Sequence, residues 1–558
     1  MLKKSELKFY TRQDRRESMD KYDYIIVGAG SAGCVLANRL SADPATRVLL
    51  IEDGGTNQHP FIKMAGGFVK IMGNPEFFRA YPLVTRPGMR PGIHTYGRGL
   101  GGSSAINGTW YLTGMPDDFD GWTKRGLSGW GWDEILRCYG KFENYREPGA
   151  HAERGRSGEL QITASTYKSD IFDALAQGFA AQGMPWLDDI TTPYAHGVGR
   201  SQYTVDRRGV RETSYKAFVK PVQKRQNLSI ALHTAVKRIK FEDGRATGVI
   251  CETNGQERIF SASGEVIISA GVYGSPQLLQ LSGIGPGASL QELGIPVVRE
   301  LSAVGKNLAD HQKFGVSFDL NNHPGTNREF FGWRLYRNAL QYFLTGSGHL
   351  ARVGMPLTGL IASKDVNPRW PDFQVAAAPF AMRTVNEMAE RPGSPLTPNP
   401  GLTFSGYHLR PRSRGSVLVT TPDYRKSPTI DPAIWSDEYD KIKAIELFKL
   451  FRAIAASDPL KAFIGSERMP GPAAQDDEEI AQALAKMVEG GLHGTGTCSM
   501  GIDPANSVTD ARCRVHGIKG LRIVDCSIMP TPISGNTNGP VMAVAERASE
   551  MILEDKFN

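Results

Sequence analysis

The segment that most restricts the fold is a short apolar run that ends in the glycine-rich turn GAGSAG, residues 28–33. The residues that follow, CVLANRLSA, place apolar side chains at helical spacing, and RVLLIED is a second β-rich run. A strand, a helix and a strand in this order predict a βαβ unit. The chain of 558 residues is too long for one ordinary core, so at least one further packed unit is expected.

The glycine spacing in this unit is that of a dinucleotide-binding turn. Gly28 permits the tight turn, Gly30 lets a pyrophosphate approach the backbone, and Gly33 lets the helix pack on the strand. The helix N-terminus would face the phosphates with the positive end of its dipole. Glu52 ends the second strand about twenty residues later and is predicted to accept hydrogen bonds from ribose hydroxyls. A glycine-rich turn without a dinucleotide is the alternative.

Charge and cysteine usage exclude several classes of protein. The net charge of +7 comes from 65 basic and 58 acidic residues without a long block of one sign, so nucleic acid is not an expected partner and a small molecule is favoured. The six cysteines are far apart without ligand spacing, which predicts no metal site and no disulfide framework, and fits a cytoplasmic location. Residues 1–21 are predicted to form a flexible tail, and no transmembrane segment is expected, because glycines and polar residues interrupt the most apolar stretch.

The middle of the chain carries aromatic residues between polar and proline-rich segments and has no nucleotide motif. This section is the candidate substrate domain, and its aromatics are either the walls of a ligand pocket or ordinary core. They are Phe330, Phe331, Trp333, Trp370, Phe373 and Phe380.

Taken together, several separated segments resemble the glucose-methanol-choline (GMC) oxidoreductase family, from about Tyr22 to Leu553. The matching segments are GAGSAG with Glu52, GRGLGGSSAIN at 97–107, AGVYGSPQLLQLSGIG at 270–285, VGKNLADH at 304–311, LHGTGTCSMG at 492–501 and SGNTNGP at 534–540. The resemblance implies an α/β fold, α+β overall, with a Rossmann-type FAD-binding domain that is discontinuous in sequence and a substrate domain on an antiparallel sheet. The predicted FAD domain comprises 22–155, 220–315 and 480–558, and the predicted substrate domain comprises 156–219 and 316–479.

The same resemblance implies which residues contact FAD. In addition to the glycines and Glu52, they are Ser31, Ala32, Gly101, Gly102, Ser103, Asn107, Gly108, Thr109, Trp110, Val236, Asp525, Cys526, Thr537 and Asn538. Some choline-oxidising relatives attach FAD covalently through a histidine just before the asparagine of the GGSS loop. This chain has Ile106 there, so noncovalent FAD is predicted.

Oxidation of an alcohol requires a base for the hydroxyl proton, and histidine suits this because its unperturbed pKa is about 6.5. Of the eleven histidines, His493 matches the histidine of the family motif H-x-x-G-T-x-x-M-G. Asn536 matches the second active-site residue of the family, with Asn538 as the nearby alternative, and its amide would donate to the substrate oxygen as negative charge develops. A helix-capping role for Asn536 and a nucleophilic role for Cys498 are the competing interpretations.

The predicted activity is FAD-dependent oxidation of an alcohol, with hydride transfer to the flavin N5 and His493 as general base. An aryl or furanic primary alcohol is one candidate substrate, and the electron acceptor is oxygen or a quinone or protein carrier. Relatives of similar sequence include hydroxynitrile lyases, so a lyase without net redox chemistry is the alternative enzyme. A noncatalytic FAD-binding scaffold is the third hypothesis.

Overall fold

The computed structural model describes residues 21–352, 354–383, 387 and 396–556. Of the predicted N-terminal tail, residues 1–20 lie outside the described residues, and Lys21 begins the first strand. The helices in the described part are α1 Ser31–Leu40, α2 Pro60–Lys63, α3 Pro116–Lys124, α4 Trp132–Phe142, α5 Asp170–Ala180, α6 Gly271–Leu281, α7 Gly287–Glu292, α8 Gly332–Thr345, α9 Glu438–Ala455, α10 Asp477–Ala485 and α11 Asn538–Lys556.

The strands belong to two large sheets and several small ones. In the described residues they are β1 Lys21–Val27, β2 Val48–Ile51, β3 Phe78–Pro82, β4 Ile93–Gly97, β5 Glu143–Tyr145, β6 Leu160–Ala164, β7 Trp186–Leu187, β8 Gly197–Arg200, β9 Gln202–Tyr203, β10 Leu228–Ala231, β11 Thr234–Glu242, β12 Arg245–Thr253, β13 Gln256–Ile268, β14 Ile284–Gly285, β15 Arg299–Glu300, β16 Gln312–Leu320, β17 Leu357–Ile361, β18 Phe373–Ala378, β19 Gly401–His408, β20 Ser416–Leu418, β21 Thr429–Asp431, β22 Ile464–Met469, β23 Glu489–Gly490 and β24 Leu521–Ile523.

The first large sheet contains the βαβ unit. Its strand order is β10-β2-β1-β13-β12-β11, with β24 beside β13. The pairs β10-β2, β2-β1, β1-β13 and β13-β24 are parallel, whereas β11, β12 and β13 form an antiparallel meander. All four side chains of β2 are buried, as expected for a central parallel strand covered on both faces. Helices α1 and α11 pack against each other beside this sheet.

The second large sheet has the order β22-β16-β19-β18-β17-β8-β7, with β23 beside β16. Its pairs are antiparallel apart from β7-β8. Because successive side chains of a strand alternate between faces, each strand contributes to both sides of the sheet. One face is apolar and packs on α5 and α9, and Phe404 of β19 stacks on Phe451 of α9 with ring centroids 5.3 Å apart.

The opposite face of this sheet carries the polar residues. Gln374 pairs with Tyr407 and Ala376 with Ser405 across β18 and β19, so these four side chains share a face. Lys313 precedes Phe314, whose side chain belongs to the apolar core, and therefore points to the polar face. This face is the floor of the cavity described below.

The predicted fold class is confirmed: a discontinuous parallel sheet and an antiparallel second sheet are both present. The first sheet takes its strands from the beginning, the middle and the end of the chain. The exact domain boundaries stay a prediction. One predicted boundary, between residues 315 and 316, falls within strand β16. None of the described helices has both the length and the apolar character needed to cross a membrane.

Candidate active site

A cavity of about 1080 Å³ extends from the turn between β1 and α1 to the polar face of the second sheet. Ligand pockets are typically on the order of 300–1,000 Å³, so this one has room for a large ligand. The predicted site residues that line it are Gly28, Gly30, Ser31, Ala32, Glu52, Gly102, Ser103, Asn107, Gly108, Thr109, Trp110, Val236, His493, Asp525, Cys526, Asn536, Thr537 and Asn538. The structure therefore brings together residues from widely separated segments.

Two predicted cofactor residues, Gly33 and Gly101, are not part of this lining. A Cβ at Gly33 would lie 1.9 Å from the carbonyl oxygen of Gly28, so Gly33 serves the close packing of α1 on the turn. Gly101 has φ +91° and faces the side chains of Ser104 and Thr213. Its backbone N–H donates to the Ala29 carbonyl at 2.8 Å, which joins the two glycine-rich turns.

Glu52 holds the same two turns in place. Its carboxylate accepts backbone N–H groups from Ala29, Gly54 and Gly99, each at 2.9 Å. A carboxylate has about four acceptor positions, so these three bonds leave little capacity for the predicted ribose hydroxyls. The structure thus gives Glu52 a role in shaping the turn that the sequence pattern did not indicate.

His493 lies on a segment that pairs with the end of the VGKNLADH motif. Gly491 N–H donates to the carbonyl of His311 at 2.7 Å, and Thr495 and Ala309 exchange backbone bonds of 2.9 and 3.1 Å. The backbone N–H of His493 donates to the carboxylate of Asp310 at 2.9 Å. This pairing places the rings of His311 and His493 side by side, with their centroids 5.2 Å apart.

A chain of five hydrogen bonds runs through these two rings. His311 Nε2 lies 3.1 Å from the Leu409 carbonyl oxygen, and its Nδ1 lies 3.0 Å from Nδ1 of His493. His493 Nε2 lies 2.8 Å from Nδ2 of Asn536. Asn536 Oδ1 lies 3.0 Å from Nε2 of Gln374, whose Oε1 lies 2.6 Å from the Tyr407 hydroxyl.

The backbone carbonyl at one end determines the direction of every bond in this chain. A carbonyl only accepts, so His311 carries its proton on Nε2 and, when neutral, accepts at Nδ1. His493 must then donate from Nδ1, which leaves a lone pair on its Nε2. That lone pair accepts an Asn536 N–H, so Oδ1 of Asn536 accepts from Gln374, and Gln374 in turn accepts the Tyr407 O–H.

The pKa values of the two histidines are consistent with neutral rings. Burial lowers the pKa of His311 to about 4. Burial, together with the neighbouring His311 and the ammonium of Lys313, lowers the pKa of His493 well below its usual value. Both imidazoles are therefore neutral at pH 7, and the lone pair on His493 Nε2, which accepts the Asn536 N–H, lies at the cavity wall.

Asn536 rather than Asn538 lies beside His493. The side-chain bonds of Asn536 go to His493 and Gln374, not to the first turn of α11, so the helix-capping interpretation is not supported. Asn538 is turned towards α1, where its Oδ1 accepts the Ser31 hydroxyl at 2.7 Å. Cys498 is completely buried and burial raises the pKa of its thiol, which is unfavourable for a nucleophile.

Several residues of this site carried no role in the sequence-based prediction. They are His311, Lys313, Gln374 and Tyr407. His311 lies in the quoted VGKNLADH motif and was within reach of sequence reasoning. The other three lie on strands without a motif, and only the register of the sheet brings them to the cavity.

Of the two alternatives for the named aromatics of the middle segment, pocket walls or ordinary core, the pocket alternative is not supported by the structure. None of the six named residues, all of which are described, belongs to the lining. Phe373 is buried in the apolar core of the second sheet, and Trp333 and Trp370 are exposed. Tyr407, which was not among the six, does line the cavity, and its ring centroid lies 5.6 Å from that of His493.

A glycine-rich dinucleotide turn and a histidine–asparagine pair on one cavity are the features of a flavin-dependent oxidoreductase. Residues 22–313 and 411–545 match the N-terminal and C-terminal family models of GMC oxidoreductases. The chain belongs to the GMC oxidoreductase family, and its cofactor is FAD.

Named relatives cover nearly the whole chain. It is 35% identical over 543 residues to the alcohol dehydrogenase [acceptor] of Pseudomonas putida, covering 95% of this chain and 96% of the relative. It is 33% identical over 535 residues to the oxygen-dependent choline dehydrogenase of Rhizobium etli, covering 95% of each. A solved structure of the Aspergillus oryzae formate oxidase, which addresses modification of its FAD, matches with a TM-score of 0.87 and 26% identity, covering 96% of this chain and 98% of that one.

The cavity wall fits a large polar cofactor. Four of its side-chain atoms are buried without a hydrogen-bond partner among the described residues: Tyr96 Oη, Thr109 Oγ1, Trp110 Nε1 and Asn538 Nδ2. Buried polar groups normally find a partner, so these atoms point to a ligand. A Cβ added at Gly30 would meet nothing within 4 Å, so the turn is open towards the cavity. These residues are candidates to hold FAD.

Two glycine substitutions should separate folding from cofactor binding. Gly33→Ala places a methyl group against the Gly28 carbonyl, and such overpacking costs about 1–3 kcal/mol. Gly30→Ala meets no protein atom and should keep the native thermal unfolding temperature, but its methyl group enters the cavity beside the turn and should lower FAD content. Circular dichroism and the visible flavin absorbance check both. Full FAD loading of Gly30→Ala would contradict the placement of FAD against the turn at Gly30.

The attachment of the flavin is a separate prediction. Ile106 is buried among apolar neighbours of the GGSS loop, and an alkyl side chain cannot form the covalent bond that a histidine makes in some relatives. Acid precipitation of the yellow holoprotein should therefore leave all flavin in the supernatant. Yellow colour that stays with the pellet would show covalent attachment.

Proposed function

We propose that this enzyme oxidises an alcohol by transferring the carbinol hydrogen as hydride to FAD, while His493 takes the hydroxyl proton. The observation that carries the proposal is the pair formed by His493 Nε2 and Asn536 Nδ2, 2.8 Å apart on the cavity wall. One atom is a proton acceptor and the other a donor, which is what an alcohol oxygen requires during oxidation. The relatives named as alcohol and choline dehydrogenases support the reaction class.

FAD supplies the hydride acceptor, the flavin N5, and has no group for the substrate hydroxyl proton. An alcohol bound at the pair displaces the Asn536 N–H from the lone pair of His493 Nε2 and donates its own O–H there. Its oxygen accepts an N–H of Asn536 in return. This donor opposes the negative charge that develops on the oxygen as the proton leaves.

His311 is a positioning residue in this scheme. By accepting at its Nδ1 it keeps the proton of His493 on Nδ1 and leaves Nε2 unprotonated, so that Nε2 can take the substrate proton. When His493 gains the substrate proton, its Nδ1–H still donates to His311, so the imidazolium remains bonded at one side. Gln374 and Tyr407 act in the same way on Asn536, because they prevent its amide from turning its oxygen towards His493.

The charge of the cavity supports a substrate without a cationic group. Lys313 is the ammonium that lowers the pKa of His493, and it lies on the polar sheet face beside Tyr407. Its ion pair with Glu489, 2.9 Å long, has Arg90 as a further basic neighbour. A quaternary ammonium alcohol would therefore meet like charge.

The carboxylate that pairs with this cation is Glu489, on β23 outside the lining, and the carboxylates of the lining itself have other partners. Glu52 binds three backbone N–H groups, and Asp53 pairs with Arg79 and Arg98. Glu252 pairs with Arg425, and Asp525 accepts bonds from Gly271, Ser275 and Ser527. None of these four carboxylates lies on the second sheet.

The proposed substrate is thus an uncharged alcohol. Tyr407 and Trp110 place aromatic surface on the lining, Tyr407 beside His493 and Trp110 against Ala376 of the sheet. These walls support an aryl or furanic primary alcohol within that class.

Anaerobic mixing of the holoprotein with aryl, furanic, aliphatic and polyol alcohols tests the proposal. Bleaching of the flavin absorbance is expected with uncharged alcohols, and the rate of colour return on admitting oxygen separates an oxidase from a dehydrogenase that uses a quinone or protein carrier. His493→Ala should retain FAD and lose roughly 10²–10⁴-fold in the bleaching rate. His311→Leu should lose roughly ten- to a hundredfold, because it leaves a buried N–H without an acceptor.

The pH profile distinguishes the two variants from general damage. Since the pKa of His493 is lowered, the native bleaching rate should stay constant to below pH 6.5. Because His311 contributes to this lowering, His311→Leu should raise the pKa of His493 and move the fall of the rate to higher pH. An unchanged rate in His493→Ala would remove this residue from the role of base. Failure of every alcohol to bleach a flavin that dithionite reduces, with cleavage of a cyanohydrin, would favour a lyase.

The charge selectivity has its own matched pair of compounds. Choline and 3,3-dimethylbutan-1-ol differ by one quaternary nitrogen replaced by carbon. We expect the neutral alcohol to have a kcat/KM at least about tenfold higher, equivalent to roughly 1.4 kcal/mol. Lys313→Glu should shift the ratio towards choline, and Lys313→Met should give an intermediate value with an unchanged rate for the neutral alcohol. The same ratio in all three proteins would show that Lys313 does not select by charge.

A further inference from the structure

Helix α8, Gly332–Thr345, presents large apolar side chains to solvent. We name these five residues the α8 stripe: Trp333, Tyr336, Leu340, Phe343 and Leu344, with exposures of 66%, 78%, 60%, 68% and 74%. Burying such side chains is favourable, and monomeric proteins rarely leave a contiguous group of them in water. The stripe therefore indicates a contact surface.

The five residues share one side of the helix. At about 100° per residue, their positions fall within a sector of about 100°. The opposite side faces the protein: Asn338 donates to the Glu329 carbonyl at 2.8 Å, and Tyr342 packs with Met64, Leu350 and Ala351. The α8 stripe thus points away from the core, and repacking within the described fold does not cover it.

A second exposed apolar segment lies next to α8. The segment that begins with α2 packs on the loop after α8, where Gly66 N–H donates to the Leu350 carbonyl at 3.2 Å. In this segment Val69 and Met72 are 42% and 55% exposed. Phe68 and Met72 also line the cavity. The cavity wall therefore includes exposed apolar residues of a segment that packs on the loop after α8.

Basic residues flank this surface. Arg334 and Arg337 both stack on the Trp333 ring, with their guanidinium carbons 5.7 and 5.3 Å from its centroid, and share the single carboxylate of Glu329. Lys63 and Lys70 are exposed on the neighbouring segment. The positive charge of the flank exceeds its negative charge, which complements an anionic surface.

We propose that the α8 stripe docks the protein on an anionic lipid bilayer, with α8 lying in the interface plane. Trp, Tyr, Phe and Leu on one side with arginine at the border is the composition of interfacial helices. The stripe is only about 16 Å long, and a two-fold contact between copies of it would bring their arginines together. Docking itself does not depend on the reaction proposed above.

Flotation of the purified holoprotein with vesicles tests the docking. We expect binding to phosphatidylcholine vesicles that contain about one third phosphatidylglycerol, and weaker binding to pure phosphatidylcholine or at high salt. In the triple variant Trp333→Ser, Leu340→Ser, Leu344→Ser, the partition coefficient onto the vesicles should fall by about a hundredfold or more. Its flavin content and its bleaching rate with a water-soluble alcohol should stay native.

A matched control uses an exposed apolar residue elsewhere. Ile502 is 72% exposed and lies against Gly126, so Ile502→Ser should bind vesicles like the native protein. Arg334→Gln with Arg337→Gln should reduce only the advantage of the anionic vesicles. Equal binding of the native protein and the triple variant would overturn the proposal, as would no vesicle binding at all. A concentration-dependent dimer that the triple variant abolishes would show that the α8 stripe binds a second copy of this chain and not a bilayer.

Discussion

The backbone carbonyl of Leu409 orients the whole candidate site. Because it only accepts, the proton of His311 must lie on Nε2, and each following donor and acceptor as far as the Tyr407 hydroxyl has one possible direction. The result is an unprotonated Nε2 on His493 beside an N–H of Asn536. Without this fixed end, the two imidazoles and the two amides would have several arrangements of similar energy, and only some of them would present a base to the cavity.

The chain of hydrogen bonds also depends on how the two sheets are assembled. His493 and Asn536 come from the C-terminal segment that packs beside the parallel sheet, whereas Gln374 and Tyr407 stand on the antiparallel sheet. The apolar side of the second sheet is held by α5 and α9, and this burial fixes which side of β18 and β19 faces the cavity. Rigid packing on one side of a sheet thus positions polar chemistry on the other.

Lys313 and the α8 stripe extend the site in two directions. The ammonium of Lys313 lies on the same sheet face as the chain of hydrogen bonds, so it adds to the effect of burial and of His311 in lowering the pKa of His493. In the proposed function it also disfavours a cationic substrate. The stripe lies outside the cavity, and the loop after α8 packs on the segment of Phe68 and Met72, which lines the cavity. The two proposals, an uncharged substrate and a docked helix, do not depend on each other.

The amino-acid sequence by itself determined the βαβ unit, the two glycine-rich turns and the candidate pair His493 and Asn536, because local spacing and short motifs specify them. It did not reveal His311, Gln374, Tyr407 or Lys313 as part of the site. A residue on a strand faces the cavity or the core according to the register of its sheet, and register depends on the packing of distant segments. The aromatics of the middle segment show the same limit. Phe373 is buried in the core and Trp333 is exposed at the surface, although both lie in the same aromatic, proline-rich and polar section of the sequence. Sequence determined the local turns and the chemistry available, whereas only the tertiary structure decided which side chains meet, because hydrogen-bond direction and burial are properties of the assembled sheets.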